Sequence, residues 1–120
     1  MRKLSLLCSI AIMLLACSES KNIDGLDTAK WKADPGGCNG DRLEMLAFIK
    51  AGKEEFRESG SNEIDGWLGK PDAKDLDKRK RRYYKYYLMG SEECPSDSGK
   101  IYLQIRFNAL DRADEIIIYE

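Results

Sequence analysis

The chain contains no histidine among its 120 residues. Histidine is the commonest general base of enzymes and the commonest metal ligand in proteins, so this absence removes the chemistry that depends on imidazole. The sequence also shows no nucleophile paired with a base and no glycine-rich phosphate loop, and its acidic residues are scattered as on any solvated surface. We therefore expect no catalytic residue, no metal, no cofactor and no small-molecule substrate.

Long hydrophobic runs are missing as well. The apolar segment at residues 4–16 has 13 residues, which as a helix would be about 20 Å long. A bilayer core is about 30 Å thick and needs about 20 apolar residues to span it. The length therefore argues against a transmembrane helix. The cationic start at Arg2 and Lys3 and the polar residues that follow Cys17 are typical of a secretory signal peptide.

The end of this segment, Leu14-Leu15-Ala16-Cys17, resembles the lipobox of bacterial lipoproteins. In that family the cysteine is acylated, for example with palmitate, the bond before it is cut, and the cysteine becomes the new N-terminus. The resemblance implies a signal peptide over residues 1–16 and a membrane anchor at Cys17, with a plain cleaved signal as the alternative. In lipoproteins of this kind an aspartate directly after the acylated cysteine usually retains the protein in the inner membrane. Here that position is Ser18. This favours the outer membrane, on either its periplasmic or its surface face.

The mature chain that would remain is of ordinary single-domain length and nearly neutral. Without Arg2 and Lys3 it has 18 basic and 21 acidic residues, a balance that gives no reason to expect a nucleic-acid partner. Residues 17–30 are polar and show no apolar periodicity, so they predict a flexible tether. One domain is predicted over residues 31–120, with Trp31 at its entry.

Four cysteines reduce to two once the signal and the lipid are taken into account. Cys8 leaves with the signal and Cys17 carries the lipid, so Cys38 and Cys94 remain. In an oxidising envelope compartment we expect them to form a disulfide. A free thiol nucleophile is the alternative, and no histidine could activate it.

Helical periodicity is confined to the middle of the chain. From Asp41 onward apolar residues recur at helical spacing, and polar residues such as Arg42 fill the other face. This predicts a first helix that breaks at Gly52 or runs on to Glu58. A second, short helix is predicted over residues 61–68, because turn-forming residues bound it on both sides.

Strand patterns fill the C-terminal half. Alternation or aromatic enrichment predicts strands over residues 81–89, 101–107 and 116–119. The short connections favour an antiparallel meander. We therefore predict an α+β fold with two N-terminal helices on one face of a three-stranded sheet.

Tyr83, Lys85 and Tyr87 alternate with the apolar residues of the first predicted strand and should point away from the helices. Exposed aromatic and basic side chains on a sheet face are typical of protein-binding surfaces. We take these three residues as a candidate binding surface. The alternative is that the tether and Trp31 cover them.

A basic run at residues 78–82 lies beside this surface and adds Arg79 and Arg81 to the candidate site. Such a run can hold anionic headgroups or an acidic partner. The alternative, which the sequence favours, is a solvated loop whose charge is balanced by nearby aspartates: Asp72, Asp75 and Asp77.

The segment Gly60-Ser61-x-Glu63-Ile64-x-x-x-Leu68-Gly69-x-Pro71 resembles the second-helix signature of the BamE-like (SmpA/OmlA) small outer-membrane lipoproteins. Those proteins share a fold with β-lactamase inhibitor protein. The resemblance extends to a tyrosine-rich first strand and to a second strand ending Ile105-Arg106-Phe107-Asn108, and it spans residues 41–119. The chain departs from the family in its cysteine pair and its long basic run.

The resemblance implies a sandwich of two helices and three strands that works by binding another envelope protein. In the best-known members that partner is the outer-membrane β-barrel assembly machinery. The predicted function is thus a lipid-anchored binding or scaffold module, accessory to outer-membrane protein assembly or envelope integrity. By analogy with the fold relative, the alternative is an inhibitor of an envelope or secreted hydrolase.

Overall fold

The computed structural model describes residues 23–120. The predicted signal peptide, the acylation of Cys17 and the first part of the predicted tether lie outside the described residues. Within the described part of the chain, no helix has the length and apolar character needed to cross a bilayer.

Helices precede strands along the chain, and the predicted α+β class is confirmed. Residues 23–120 form four short α-helices: α1 (Thr28–Lys32), α2 (Asp41–Glu44), α3 (Leu46–Gly52) and α4 (Ser61–Leu68). Two 3-10 turns lie at Pro35–Gly37 and Lys53–Phe56. Four strands form one antiparallel sheet in chain order: β1 (Ala73–Leu76), β2 (Arg82–Met89), β3 (Ile101–Phe107) and β4 (Ala113–Tyr119).

The prediction of three strands and two helices is wrong in number. The missed strand β1 has the sequence Ala-Lys-Asp-Leu, which lacks the aromatic and β-branched residues that indicate strands. It forms because a tight turn folds it back onto β2, where Ala73 pairs with Lys85 and Leu76 with Arg82. Tertiary pairing, rather than local preference, creates this strand.

The first predicted helix is interrupted twice. Its α-helical part ends at Gly52, as the weak propensity of glycine indicated, and continues as the 3-10 turn Lys53–Phe56. A second interruption at Met45, with φ −94° and ψ 6°, separates α2 from α3. No glycine or proline marks that position, so the sequence did not indicate it.

Residues 23–30, predicted as tether, pack on the domain in the structure. Ile23 is only 6% exposed and belongs to the hydrophobic core, and Leu26 packs against that core. Helix α1 begins at Thr28, three residues before Trp31. The folded domain therefore begins before the predicted boundary at Trp31.

The core lies between the helices and one face of the sheet. As predicted, the apolar residues of β2 are buried there, with Tyr84 paired to Ile105 and Tyr86 to Leu103 in the strand register. Trp31 packs against Tyr86 on this face, with ring centroids 6.2 Å apart. Trp31 therefore does not cover the opposite face. We call that opposite face, which carries Tyr83, Lys85 and Tyr87, the open face.

Candidate functional site

A row of three tyrosines crosses the open face. Tyr87, Tyr102 and Tyr119 stand opposite one another on β2, β3 and β4. Their ring centroids are 5.3 Å apart for the first pair and 5.0 Å for the second, whose planes differ by only 23°. The rings of the second pair are therefore stacked, and Tyr119 is 40% exposed to solvent. We call this row the tyrosine ladder.

The charged side chains beside the tyrosine ladder are paired within the open face. Lys85 Nζ lies 2.8 Å from a carboxylate oxygen of Asp75 and 5.4 Å from the centre of the Tyr102 ring. Its hydrogen bond to Asp75 raises the pKa of the Lys85 ammonium above the usual range. Arg106 lies 2.8 Å from Asp114 and 3.3 Å from Glu115. The face is thus aromatic with its charges largely neutralised.

The structure brings Tyr83, Lys85 and Tyr87 together on the open face, where all three are half-buried. Sequence reasoning missed the contribution of Tyr102 and Tyr119 to the same surface. The alternation of β3 was visible in the sequence, but only the strand register places the rings of Tyr102 and Tyr119 next to Tyr87.

The basic run forms the turn between β1 and β2, and Asp77 organises it. The Asp77 carboxylate accepts hydrogen bonds from the backbone N–H groups of Arg79 and Arg81, both at 2.9 Å. Arg81 Nε and the Tyr83 hydroxyl also donate to it, at 2.7 Å and 3.1 Å. These bonds, led by the backbone N–H of Arg81, lower the pKa of Asp77 to about 2.

Three aspartates were predicted to neutralise the positive charge of this run, and of these only Asp77 forms an ion pair with it. Asp72 pairs with Arg42 instead, and Asp75 with Lys85. Within residues 23–120, no carboxylate pairs with the side chains of the turn's central cations: Lys78, Arg79 and Lys80.

Acidification is expected to loosen this turn. The folded-state pKa of Asp77 is about 2, against about 3.9 for an unfolded aspartate. Because this pKa is depressed, the stabilisation is present above about pH 4 and is lost as the pH falls toward about 2. The measurement is the NMR amide shifts of Arg79 and Arg81 across this range. In Asp77→Asn the transition should disappear, whereas in the exposed-site control Asp97→Asn it should persist. Amide shifts that stay constant down to pH 2 would contradict the assignment.

A buried arginine joins the helical layer to the sheet. Arg42 is 1% exposed, and its Nη1 lies 2.7 Å from Asp72 Oδ2 and 3.1 Å from the Tyr87 carbonyl oxygen. Its Nε donates to the Trp31 carbonyl at 2.9 Å, and its guanidinium lies 5.0 Å from the Trp31 ring centre. We call this group the Arg42 cluster. Its polar groups are engaged inside the fold, which marks it as structural.

The predicted disulfide between Cys38 and Cys94 is confirmed, with Cα atoms 5.5 Å apart. It joins the turn after Pro35–Gly37 to the loop between β2 and β3. A glycine at position 37 is required here, because φ is +67° and an added Cβ would lie 2.5 Å from the Leu88 carbonyl group. The disulfide turn therefore lies directly against the end of β2 that carries Tyr87.

An open groove of about 680 Å³ extends the tyrosine ladder at one end. Met89, Ile101, Tyr102 and Tyr119 supply its aromatic and apolar lining. In the described part of the chain, no group of three or more cysteine, aspartate or glutamate residues is arranged to hold a metal ion. The arrangement is that of a shallow contact surface.

Comparison of the chain with protein-family models, with curated proteins and with solved structures found no match. The BamE-like resemblance stays a prediction that rests on the motif residues.

Proposed function

We propose that this chain is a lipid-anchored protein-binding module of the bacterial cell envelope, and that its open face binds the partner. The observation that carries the proposal is the tyrosine ladder: three aromatic rings on adjacent strands, on the sheet face opposite the helices. Tyrosine is enriched in the energetically important centres of protein interfaces.

The shape of the open face favours a protein over a small ligand. Small molecules bind in concave pockets that bury most of their surface. Here the rings of Tyr102 and Tyr119 stack on each other, and Lys85 and Arg106 already have carboxylate partners. A second protein can cover this shallow surface, together with the open groove at its end, over the roughly 800 Å² per partner that a specific interface needs.

The lipid anchor supplies the location. From Cys17 to the buried Ile23 the chain takes six residue steps, which reach at most about 20 Å. An acylated Cys17 would therefore hold the domain close to the membrane, within reach of a partner that is itself in or on that membrane. A role accessory to outer-membrane protein assembly or envelope integrity follows from this placement and from the BamE-like motif.

The ladder is tested by the double variant Tyr102→Ala/Tyr119→Ala in the intact lipoprotein. Two interface tyrosines at about 1–2 kcal/mol each should weaken binding of the partner roughly 30- to 1000-fold and reduce its recovery accordingly. The measurement is crosslinking followed by purification in detergent and quantitative mass spectrometry. Phe48→Ala is the matched control, since Phe48 is 45% exposed and lies on α3, away from the open face.

Partners recovered equally by the double variant and the native chain would show that the ladder is not the binding surface. The triple variant Tyr83→Ala/Lys85→Ala/Tyr87→Ala tests the β2 part of the same face. An inhibitor, the alternative function, would instead retain a soluble hydrolase after the lipid is removed.

A further inference from the structure

Two turns meet at one end of the sheet. The β1–β2 turn and the β3–β4 turn are neighbours, because Arg82 pairs with Phe107 in the register and its guanidinium forms an ion pair with Asp111. We call residues 76–82 and 108–112 the tip. Leu76 and Leu110 project from it and are 63% and 78% exposed. These are the two most exposed large hydrophobic residues of the described chain.

The tip is strongly cationic although the whole chain has a net charge of −1. It contains six lysines and arginines against two carboxylates. Both carboxylates are engaged: Asp77 by Arg81, and Asp111 by Arg82 and the Ser61 hydroxyl. Lys78, Arg79 and Lys80 have no carboxylate partner in the described residues, and neither has Arg112, whose Nη1 donates to the Glu58 carbonyl oxygen at 3.2 Å.

We propose that the tip docks on an anionic phospholipid bilayer. Leu76 and Leu110 would enter the headgroup region while the unpaired cations bind lipid phosphates. Exposed apolar side chains flanked by lysine and arginine are the combination that favours the membrane interface. Each lysine or arginine near an anionic leaflet adds attraction to its surface.

The shape of the tip favours a bilayer over an acidic protein. Two tight turns make a convex end, and two isolated leucines offer far less than the roughly 800 Å² that a stable protein interface buries on each side. A deformable bilayer needs no complementary groove. With the lipid anchor holding the domain nearby, even weak docking would be populated, because tethering raises the effective concentration.

Docking at this end would set the orientation of the domain. The strands run away from the tip, so the sheet would stand upright on the membrane and turn the tyrosine ladder sideways, toward a neighbour in the same bilayer. This orientation rests on the proposed function, whereas the affinity of the tip for anionic lipid does not.

The test uses the mature lipidated protein carrying Leu110→Trp in vesicles that contain brominated phospholipids, which quench tryptophan on contact. Quenching should be strong in vesicles with phosphatidylglycerol and weak in phosphatidylcholine alone. Adding Lys78→Glu/Arg79→Glu/Lys80→Glu should lower the ratio of docked to free tip at least about 100-fold. Leu76→Trp repeats the measurement if Leu110→Trp does not fold.

A matched charge control changes three exposed cations outside the tip: Lys30→Glu, Lys70→Glu and Lys100→Glu. It should leave the quenching in phosphatidylglycerol vesicles intact. The proposal would be overturned if quenching were equal in neutral and anionic vesicles. It would also be overturned if the charge control lost as much quenching as the Lys78→Glu/Arg79→Glu/Lys80→Glu variant. Loss of a crosslinked envelope protein in the tip variant, without lipid quenching in the native tip, would identify the tip as a protein contact instead.

The same vesicles separate this proposal from the proposed anchoring. A chain without acyl chains would not float with phosphatidylcholine vesicles, yet its tip would still bring it to phosphatidylglycerol vesicles. A missing lipid anchor therefore shows as loss of flotation with phosphatidylcholine vesicles, whereas a tip that does not bind lipid shows as loss of the preference for phosphatidylglycerol vesicles.

Discussion

Arg42→Ala is expected to lower the free energy of unfolding by about 3–5 kcal/mol, because it leaves buried partners without their cation. Asp72, whose side chain is 10% exposed, would lose its 2.7 Å ion pair. The carbonyl oxygens of Trp31 and Tyr87 would lose the donors that now satisfy them. A buried acceptor that loses its donor costs about 1–3 kcal/mol. Since a domain of this size has a total stability of about 5–15 kcal/mol, the variant should lose a large share of it.

Two backbone hydrogen bonds to Asp72 limit the loss of stability in Arg42→Ala. Besides Arg42, the carboxylate accepts the backbone N–H groups of Gly36 at 2.9 Å and of Tyr87 at 2.7 Å. These bonds keep the charge partly compensated in Arg42→Ala. Asp72→Asn is expected to be destabilising too, because the amide can no longer form a charged pair with the guanidinium.

Urea unfolding followed by circular dichroism measures the change. The control is Arg57→Ala, since Arg57 is 45% exposed and its pair with Glu54 is solvated. Exposed pairs of this kind contribute about 0–1 kcal/mol. Equal effects of Arg42→Ala and Arg57→Ala would contradict a structural role for the Arg42 cluster.

The second large effect is expected from removal of the disulfide. Cys38→Ser/Cys94→Ser opens a loop that closes over a sequence separation of 56 residues, for which the chain-entropy estimate is about 4 kcal/mol. For a domain of about 100 residues this corresponds to a fall in the thermal midpoint of roughly 20 °C. The released turn lies against Leu88, at the end of β2 that carries Tyr87. Loss of the disulfide should therefore also loosen that end of the tyrosine ladder.

Thermal unfolding with and without a thiol reductant measures this contribution. The native chain should lose stability on reduction, and the double serine variant should not respond to the reductant. An unchanged thermal midpoint of the native chain after complete reduction, verified by thiol labelling, would show that the disulfide contributes nothing.

The local sequence pattern was sufficient to predict the main helices and strands and to predict which face of the sheet is buried. Alternation in β2 and β3 assigned Tyr84, Tyr86 and Leu103 to the core, and all three are buried. These predictions succeeded because burial of a regular element repeats with the period of its backbone.

Arg42 shows where local pattern fails. Its position on the polar side of a predicted helix indicated a solvated residue, yet the structure buries it. The partners that make this burial possible are far away in sequence: Asp72 follows α4, and Tyr87 lies on β2. The same reason explains β1, which is a strand only because β2 lies beside it.

By itself the sequence determined the α+β class, the pairing of Cys38 with Cys94 and the direction in which β2 faces. The fold class and the direction of β2 follow from short periods along the chain, and the cysteine pairing was inferred by elimination from the expected signal peptide and lipidated Cys17. Only the tertiary structure decided that three tyrosines form one ladder, that Arg42 is buried and that Leu76 and Leu110 share one cationic tip. Those features depend on strand register and on contacts between distant segments, which no local pattern encodes.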